Sequence, residues 1–384
     1  MSIFDPARFD VRRTQWGALI IGVLALLVSA IGAFISPVEF LRSYLVAYVF
    51  WIGIALGSIS IVLLHHLVGG LWGFVIRRVL ESGTRTLPLM AILALPILIG
   101  LPYLYIWAHE EEVAHSPLLQ EKAGYLNVPF FVVRMVLYFA IWLVLVFILN
   151  RWSSRQDETA DPVYVYRFRA LSGPALIVHG FVVTFAFIDL VMSIQPEWFS
   201  TIFGIIFLVG QVLSTLAFSI AMLMLLSARD PLAPVLRPAH FHDLGNLMLA
   251  FVILWAYAAV SQFIIIWSGN LPEEVTWYLD RSTPGWIGVT VFLAIFHFAV
   301  PFFILLTRYV KRRGELLAAL AGAMILIRIV DIHWLIKPSF PAAFHWMDLL
   351  IPIGIGGIWL AVFLWQLSAR PLLPLHDARF EGRV

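Results

Sequence analysis

The stretch Tyr44–Val68 reads YLVAYVFWIGIALGSISIVLLHHLV, 25 residues without a Lys, Arg, Asp or Glu. A bilayer core of about 30 Å is crossed by about 20 apolar residues of helix, so this run alone suffices. Periodicity does not separate helix from strand in a continuous apolar run, but length does, because a barrel strand needs only about ten alternating residues. Gly17–Ile35 precedes it with the same character. Leu87–Trp107, Val128–Asn150, Leu171–Ile194, Trp198–Ser227, Leu244–Ile266, Gly285–Thr307, Leu316–Ile336 and Phe344–Leu367 follow. Ten membrane helices are therefore expected. The first follows Arg12 and Arg13 but outlasts a signal-peptide core and lacks an A-x-A cleavage site, which reads as a retained anchor.

Composition agrees. The 384 residues are 61% hydrophobic and 12% charged, about half the charge of a soluble domain, and mean hydropathy is +0.93. A net charge of +2 argues against a nucleic-acid partner. With no cysteine, the chain can form no disulfide, thiolate zinc site, cysteine-ligated iron–sulfur cluster or CxxCH haem attachment. Phosphate loops, hydrolase triads and H-E-x-x-H patterns are also absent from the sequence. Neither catalytic residues nor a metal site are expected.

Basic residues set the orientation. Nineteen Lys and Arg lie in the amino terminus, the even-numbered loops and the tail, among them Arg8, Arg77, Arg78, Arg85, Arg379 and Arg383. Only Arg42, Lys122, Arg281 and Lys337 lie in the odd loops. The positive-inside rule then puts both termini in the cytoplasm. The outer loop His109–Asn127 carries Glu110, Glu111, Glu112 and Glu121; it reads either as a solvated face or as a dock for a basic partner.

Span five closes with Asp189-Leu-Val-Met-Ser-Ile194-Gln-Pro196, and span nine with Asp331-Ile-His-Trp-Leu-Ile336-Lys-Pro338. A fainter echo joins Phe50, Gly53 and Leu56 of span two to Phe207, Gly210 and Leu213 of span six. A repeat every four helices implies two parallel four-helix bundles, spans two to five and six to nine, with helices one and ten flanking them. The divisions are residues 1–43 (terminal segment and span one), 44–194, 195–340, and 341–384 (span ten and tail).

Ionisable residues inside a bilayer are costly and mark function or pairing. Arg134, Asp189, Arg328, Asp331, His333, His345 and Asp348 fall in the outer half, and His65, His66 and His179 in the inner half. His297 lies near the middle of span eight. Arg328 and Asp331, three apart, share a helix face as an ion pair. Asp189 and Asp348 have no opposite charge nearby in sequence, and an unpartnered buried carboxylate is the group a proton relay uses. His179 and His297 read as interhelical hydrogen-bonding groups. His179 with His65 or His66 also admits a b-type haem, although nothing in the spacing requires one. In His240-Phe-His242-Asp243, the preferred reading has Asp243 capping span seven, with a zinc or iron site as the alternative.

Several stretches resemble the ActF-type membrane subunit of alternative complex III. They are Leu64-His-His-Leu-Val-Gly-Gly-Leu-Trp-Gly-Phe-Val-Ile-Arg-Arg78 with Glu81, Gln195-Pro-Glu-Trp-Phe-Ser-Thr-Ile-Phe-Gly204, and His240-Phe-His-Asp-Leu-Gly-Asn246. Ser268-Gly-Asn-Leu-Pro-Glu-Glu274 and Trp277-Tyr278 complete the set. The resemblance spans about three quarters of the chain. It implies an NrfD-like, polysulfide reductase membrane subunit-like architecture in a bacterial cytoplasmic membrane, within a quinol:cytochrome c or acceptor oxidoreductase of the respiratory chain. The implied partners are an iron–sulfur protein, a sister NrfD-like subunit that binds quinol or menaquinol, and c-type cytochromes. These carry the clusters and haems, so the chain itself is expected to hold no cofactor and not to be catalytic alone. It would support the sister subunit and conduct protons. By their depth and charge, rather than by the family motif, Asp189, Arg328, Asp331, His333 and Asp348 would form an outer half-channel, and His65, His66, His179 and Asp243 an inner one. Two other readings stay open, a purely structural scaffold and a proton-coupled secondary transporter.

Overall fold

A computed structural model describes residues 6, 9–159, 161–340 and 344–377, and helix is the only regular structure among them. Arg8, Arg379 and Arg383 lie outside the described residues. Among the described residues ten helices are long and apolar enough to cross a membrane, which makes this a multi-pass membrane protein. Span one is Val11–Ile35, two Pro37–Val68, three Leu71–Ile99, four Val128–Glu158 and five Val163–Ile194. Span six is Phe203–Leu226, seven Pro238–Gly269, eight Trp286–Leu306, nine Gly314–Ser339 and ten Met347–Ser368.

Spans two and six form the centre, 94% and 83% of their apolar windows being buried, against 22% for spans one and eight at the rim. Small residues bring these two helices together. A Cβ on Gly57 would collide with Gln211 O and Thr215 Oγ1, and Thr215 Oγ1 donates to Ile54 O across the contact at 3.1 Å. Close backbone approach through small residues replaces the hydrophobic drive that lipid cannot supply. Span one is fastened to span ten in the same way: a Cβ on Gly22 would stand 2.7 Å from Ile358 N and 2.9 Å from Gly354 O.

Besides helix ends that extend past the expected bounds, two regions around span three differ from the sequence expectation. The stretch before Leu87, expected as a loop, is a helix over Leu71–Thr84 on which Arg77, Arg78 and Glu81 are buried. The expected continuous span Leu87–Trp107 is broken into Leu87–Leu93, Leu95–Ile99 and Leu101–Leu104. Each piece has proline at its start, Pro88, Pro96 and Pro102, where the missing N–H is tolerated but the preceding helix is interrupted. Span eight contains a π-helical turn, Ala294–Ala299, around His297. Such bulges redirect side chains inside an otherwise regular helix.

Candidate functional site

The three carboxylates placed inside spans by sequence are all buried, and each has a cationic partner. Asp189, wholly inaccessible, receives Arg134 Nε at 2.8 Å and Nη2 at 3.0 Å, and the Tyr138 hydroxyl at 2.8 Å. Arg134 also donates to Tyr125 O at 2.8 Å and lies over the Tyr125 and Phe130 rings, at 3.8 and 4.4 Å from their centroids. The reading of Asp189 as an unpartnered carboxylate is therefore corrected. Its partner comes from span four, 55 residues away, a pairing that only packing creates. Asp348 is corrected likewise. It accepts from Ser43 Oγ at 2.6 Å and from its own helix entrance, His345 N, at 2.8 Å, with Lys337 Nζ at 2.9 Å. Lys337, expected in an outer loop, is buried, with Glu39 Oε2 3.5 Å from its Nζ on the other side.

Asp331 sits in a different environment. Arg328 pairs with it as the spacing predicts, and Trp255 Nε1 donates to it at 3.2 Å. His297, held by the π-turn, places Nδ1 4.0 Å from Asp331 Oδ2 and its ring edge-on to Trp255 at 4.0 Å. Neither His297 nitrogen has a hydrogen bond among the described residues, so its expected hydrogen-bonding role is not met. Arg328 presses on Gly210, where a Cβ would overlap the guanidinium. With Gln211 and Ser214 it lines an internal cavity of about 10 Å³, the space of about one water.

Asp331 also forms part of the wall of a larger cleft of about 380 Å³ between spans seven, eight and nine. Trp255, Gln262, Tyr278, Arg281 and Trp334 contribute to the same wall. Burial pushes the Tyr278 hydroxyl up to about 12, keeping it protonated. Burial also depresses the Arg281 guanidinium, which lies over the Trp277 ring at 3.4 Å and donates to Trp277 O and Leu335 O.

The remaining expected residues are scattered. His333 packs against the Trp286 and Phe344 rings, at 5.7 and 5.9 Å. His179 Nε2 shares a 2.9 Å hydrogen bond with Ser60 Oγ of span two, which meets the interhelical expectation. His66 is stacked flat on Phe168 at 4.0 Å, and His65 stands edge-on to Trp72 at 5.6 Å. Asp243 does not cap span seven. The helix begins five residues earlier at Pro238, and His240 Nδ1 accepts from Arg237 N at 3.1 Å. Asp243 is half-exposed, 3.6 Å from His242. No group of three or more potential metal-ligating side chains occurs among the described residues.

Sequence reasoning missed a buried ionic cluster at the start of span three. Arg77 donates to Glu81 (2.8 Å), Asp377 (3.0 Å) and Gln156 (2.9 Å); Arg78 donates to Glu81 (2.6 Å) and Asp157 (2.5 Å). Ser153 Oγ donates to Glu81 at 2.7 Å. The three- and four-residue spacing of Arg77, Arg78 and Glu81 was the available signal.

Distant stretches that carried the sequence resemblance meet at one end of the second half of the chain. Trp198 stacks on Trp277 with centroids 4.8 Å apart and planes 15° apart. Gln195 Nε2 donates to Asp280 Oδ2 at 2.7 Å, and Ser339 Oγ to Gln195 Oε1 at 3.0 Å. No family model matches the chain, and no curated protein matches it significantly.

Proposed function

We propose that the chain is a membrane subunit of a bacterial respiratory quinol:electron-acceptor oxidoreductase of the alternative complex III type. In this reading it lies in the cytoplasmic membrane with both termini inside. Its two four-helix bundles support the quinol-oxidising sister subunit. Iron–sulfur clusters and c-type haems belong to the partner proteins. The observation that carries the reading is the meeting of the family-like stretches Gln195–Gly204 and Trp277–Tyr278 in one stacked Trp198–Trp277 contact. Segments separated by about eighty residues in sequence then serve one local structure, as a shared architecture requires.

Within the chain the proton-handling role falls on Asp331 rather than Asp189. Asp189 is closed in by three donors from Arg134 and Tyr138, a fastening between spans four and five. Asp331 borders an apolar cleft on one side and an imidazole without hydrogen bonds on the other. A proton on Asp331 would weaken its hold on Arg328, and His297 is 4.0 Å away to exchange it. A scaffold without proton traffic is the second reading, favoured by the cation partner that Asp189, Asp331 and Asp348 each possess.

Membranes of a strain lacking this chain test the functional class. The proposal expects them to lose quinol-dependent reduction of c-type cytochrome that is resistant to cytochrome bc1 inhibitors. Full retention of that activity would overturn it.

A further inference from the structure

A groove of about 650 Å³ runs along the outside of the bundle, where the break in span three between Thr84 and Leu87 meets the later part of span four and the end of span ten. Among the described residues three arginines line it, Arg85, Arg151 and Arg370, and no acidic residue does. Each lies just beyond an apolar run, the run that begins at Leu87 and those that end at Asn150 and Leu367. That position is the headgroup level of a bilayer. Below them the wall is apolar. Leu143, Phe147 and Arg151 follow one another at four-residue intervals and so share a face of span four. The step from Leu143 to Arg151 covers about 12 Å, the reach from a phosphate down into acyl chain.

Among the described residues the cations here outnumber their partners. Arg77, Arg78, Arg85, Arg151 and Arg370 share this corner with three carboxylates, Glu81, Asp157 and Asp377. Two of the arginines, Arg77 and Arg78, hold all three carboxylates by direct hydrogen bonds. Arg370 reaches Glu81 only at 3.7 Å, and its Nη1 is buried without a hydrogen bond among the described residues. Arg85 spends its Nε on Asn150 Oδ1 at 2.7 Å. Asn150 O and Ser154 Oγ in turn accept from Arg370, so the guanidinium groups are fixed in place before any ligand arrives. Arg151 is exposed beside Phe147.

We propose that this groove binds an anionic phospholipid of the surrounding bilayer, its phosphate held by Arg85, Arg151 and Arg370 and its acyl chain lying along Leu143 and Phe147. A basic pocket between helices at the membrane surface favours anionic headgroups. The apolar wall selects a lipid over a soluble phosphate. The inference does not depend on the respiratory reading.

The test uses the full-length protein, extracted with the partners it retains and placed in nanodiscs of phosphatidylcholine containing a minor fraction of phosphatidylglycerol. Lipids retained after re-extraction are counted by native mass spectrometry. Phosphatidylglycerol is expected to be enriched about tenfold over its share of the bilayer. Arg151→Gln, an exposed position, and Arg85→Gln should each lower that enrichment several-fold, and Arg151→Lys should restore most of it. Ten millimolar inorganic phosphate, roughly matching a headgroup in charge, should leave it unchanged. Retention of phosphatidylglycerol in proportion to its share of the bilayer would overturn the proposal, as would enrichment indifferent to both Gln variants. Displacement by inorganic phosphate would overturn the lipid assignment in favour of a soluble-anion site.

Discussion

Replacing Arg134 by Leu should destabilise the protein far more than its single ion pair would on a surface. The substitution leaves Asp189 wholly buried in an apolar bundle with one donor, Tyr138, in place of three. Breaking a buried pair from one side costs about 3–5 kcal/mol, because the surviving charge keeps its desolvation penalty. Asp189→Asn is milder. The Arg134 guanidinium retains the Tyr125 carbonyl and the Tyr125 and Phe130 rings, so the loss should approach that of charged hydrogen bonds, about 1.5–3 kcal/mol. The double variant Arg134→Leu, Asp189→Leu removes both charges and should recover most of the loss, to within about 1–2 kcal/mol of the parent. Tyr138→Phe removes one donor and should cost about 1.5–3 kcal/mol. With Asp189→Leu measured as the second single variant, reversible unfolding in mixed micelles, read by tryptophan fluorescence, provides the four numbers for a double-mutant cycle. A cost below about 1 kcal/mol for Arg134→Leu, the range of an exposed pair, would refute the reasoning. So would a double variant as unstable as the single.

Asp331→Asn and His297→Ala should each lower the proton-to-electron ratio of the intact complex in proteoliposomes, while Asp189→Asn leaves the ratio unchanged. An unaltered ratio in both of the first two would leave only the scaffold reading. Gly22→Leu should detach span one from span ten, because its side chain would run into Ile358 N and Gly354 O; faster proteolysis near span one is the readout, and parental rates would contradict the packing. Glu81→Gln removes the carboxylate shared by Arg77 and Arg78 and should cost about 3–5 kcal/mol, with more rapid hydrogen exchange in residues 369–377. An unchanged melting profile would show that the cluster carries no stability.

The spans were legible because burial in lipid demands long uncharged runs, and Tyr44–Val68 meets that demand without help from the rest of the chain. Leu71–Thr84 was not. Its two arginines and one glutamate look like a solvated loop until Asp157 and Asp377, 79 and 300 residues away from their partners, are brought against them. The same limit hid the partner of Asp189. Arg328 and Asp331 could be paired from sequence because both lie on one helix face, whereas Arg134 and Asp189 come from separate spans. His240 escaped notice as a cap because Pro238, a favoured first helical residue, starts span seven ahead of the Asp243 that looked like the cap. The breaks in the third span have their signal in Pro88, Pro96 and Pro102, but a continuous apolar run from Leu87 to Trp107 predicts one unbroken helix by its length alone.

Affinity purification of this chain from its native membrane under mild detergent tests the central claim most directly, with subunits identified by mass spectrometry and cofactors by optical and paramagnetic spectroscopy. The account expects an iron–sulfur protein, c-type cytochromes and a second multi-pass subunit in fixed ratio to it. A chain that purifies alone, and that drives substrate-dependent proton uptake when reconstituted by itself, would contradict the account and establish a transporter instead.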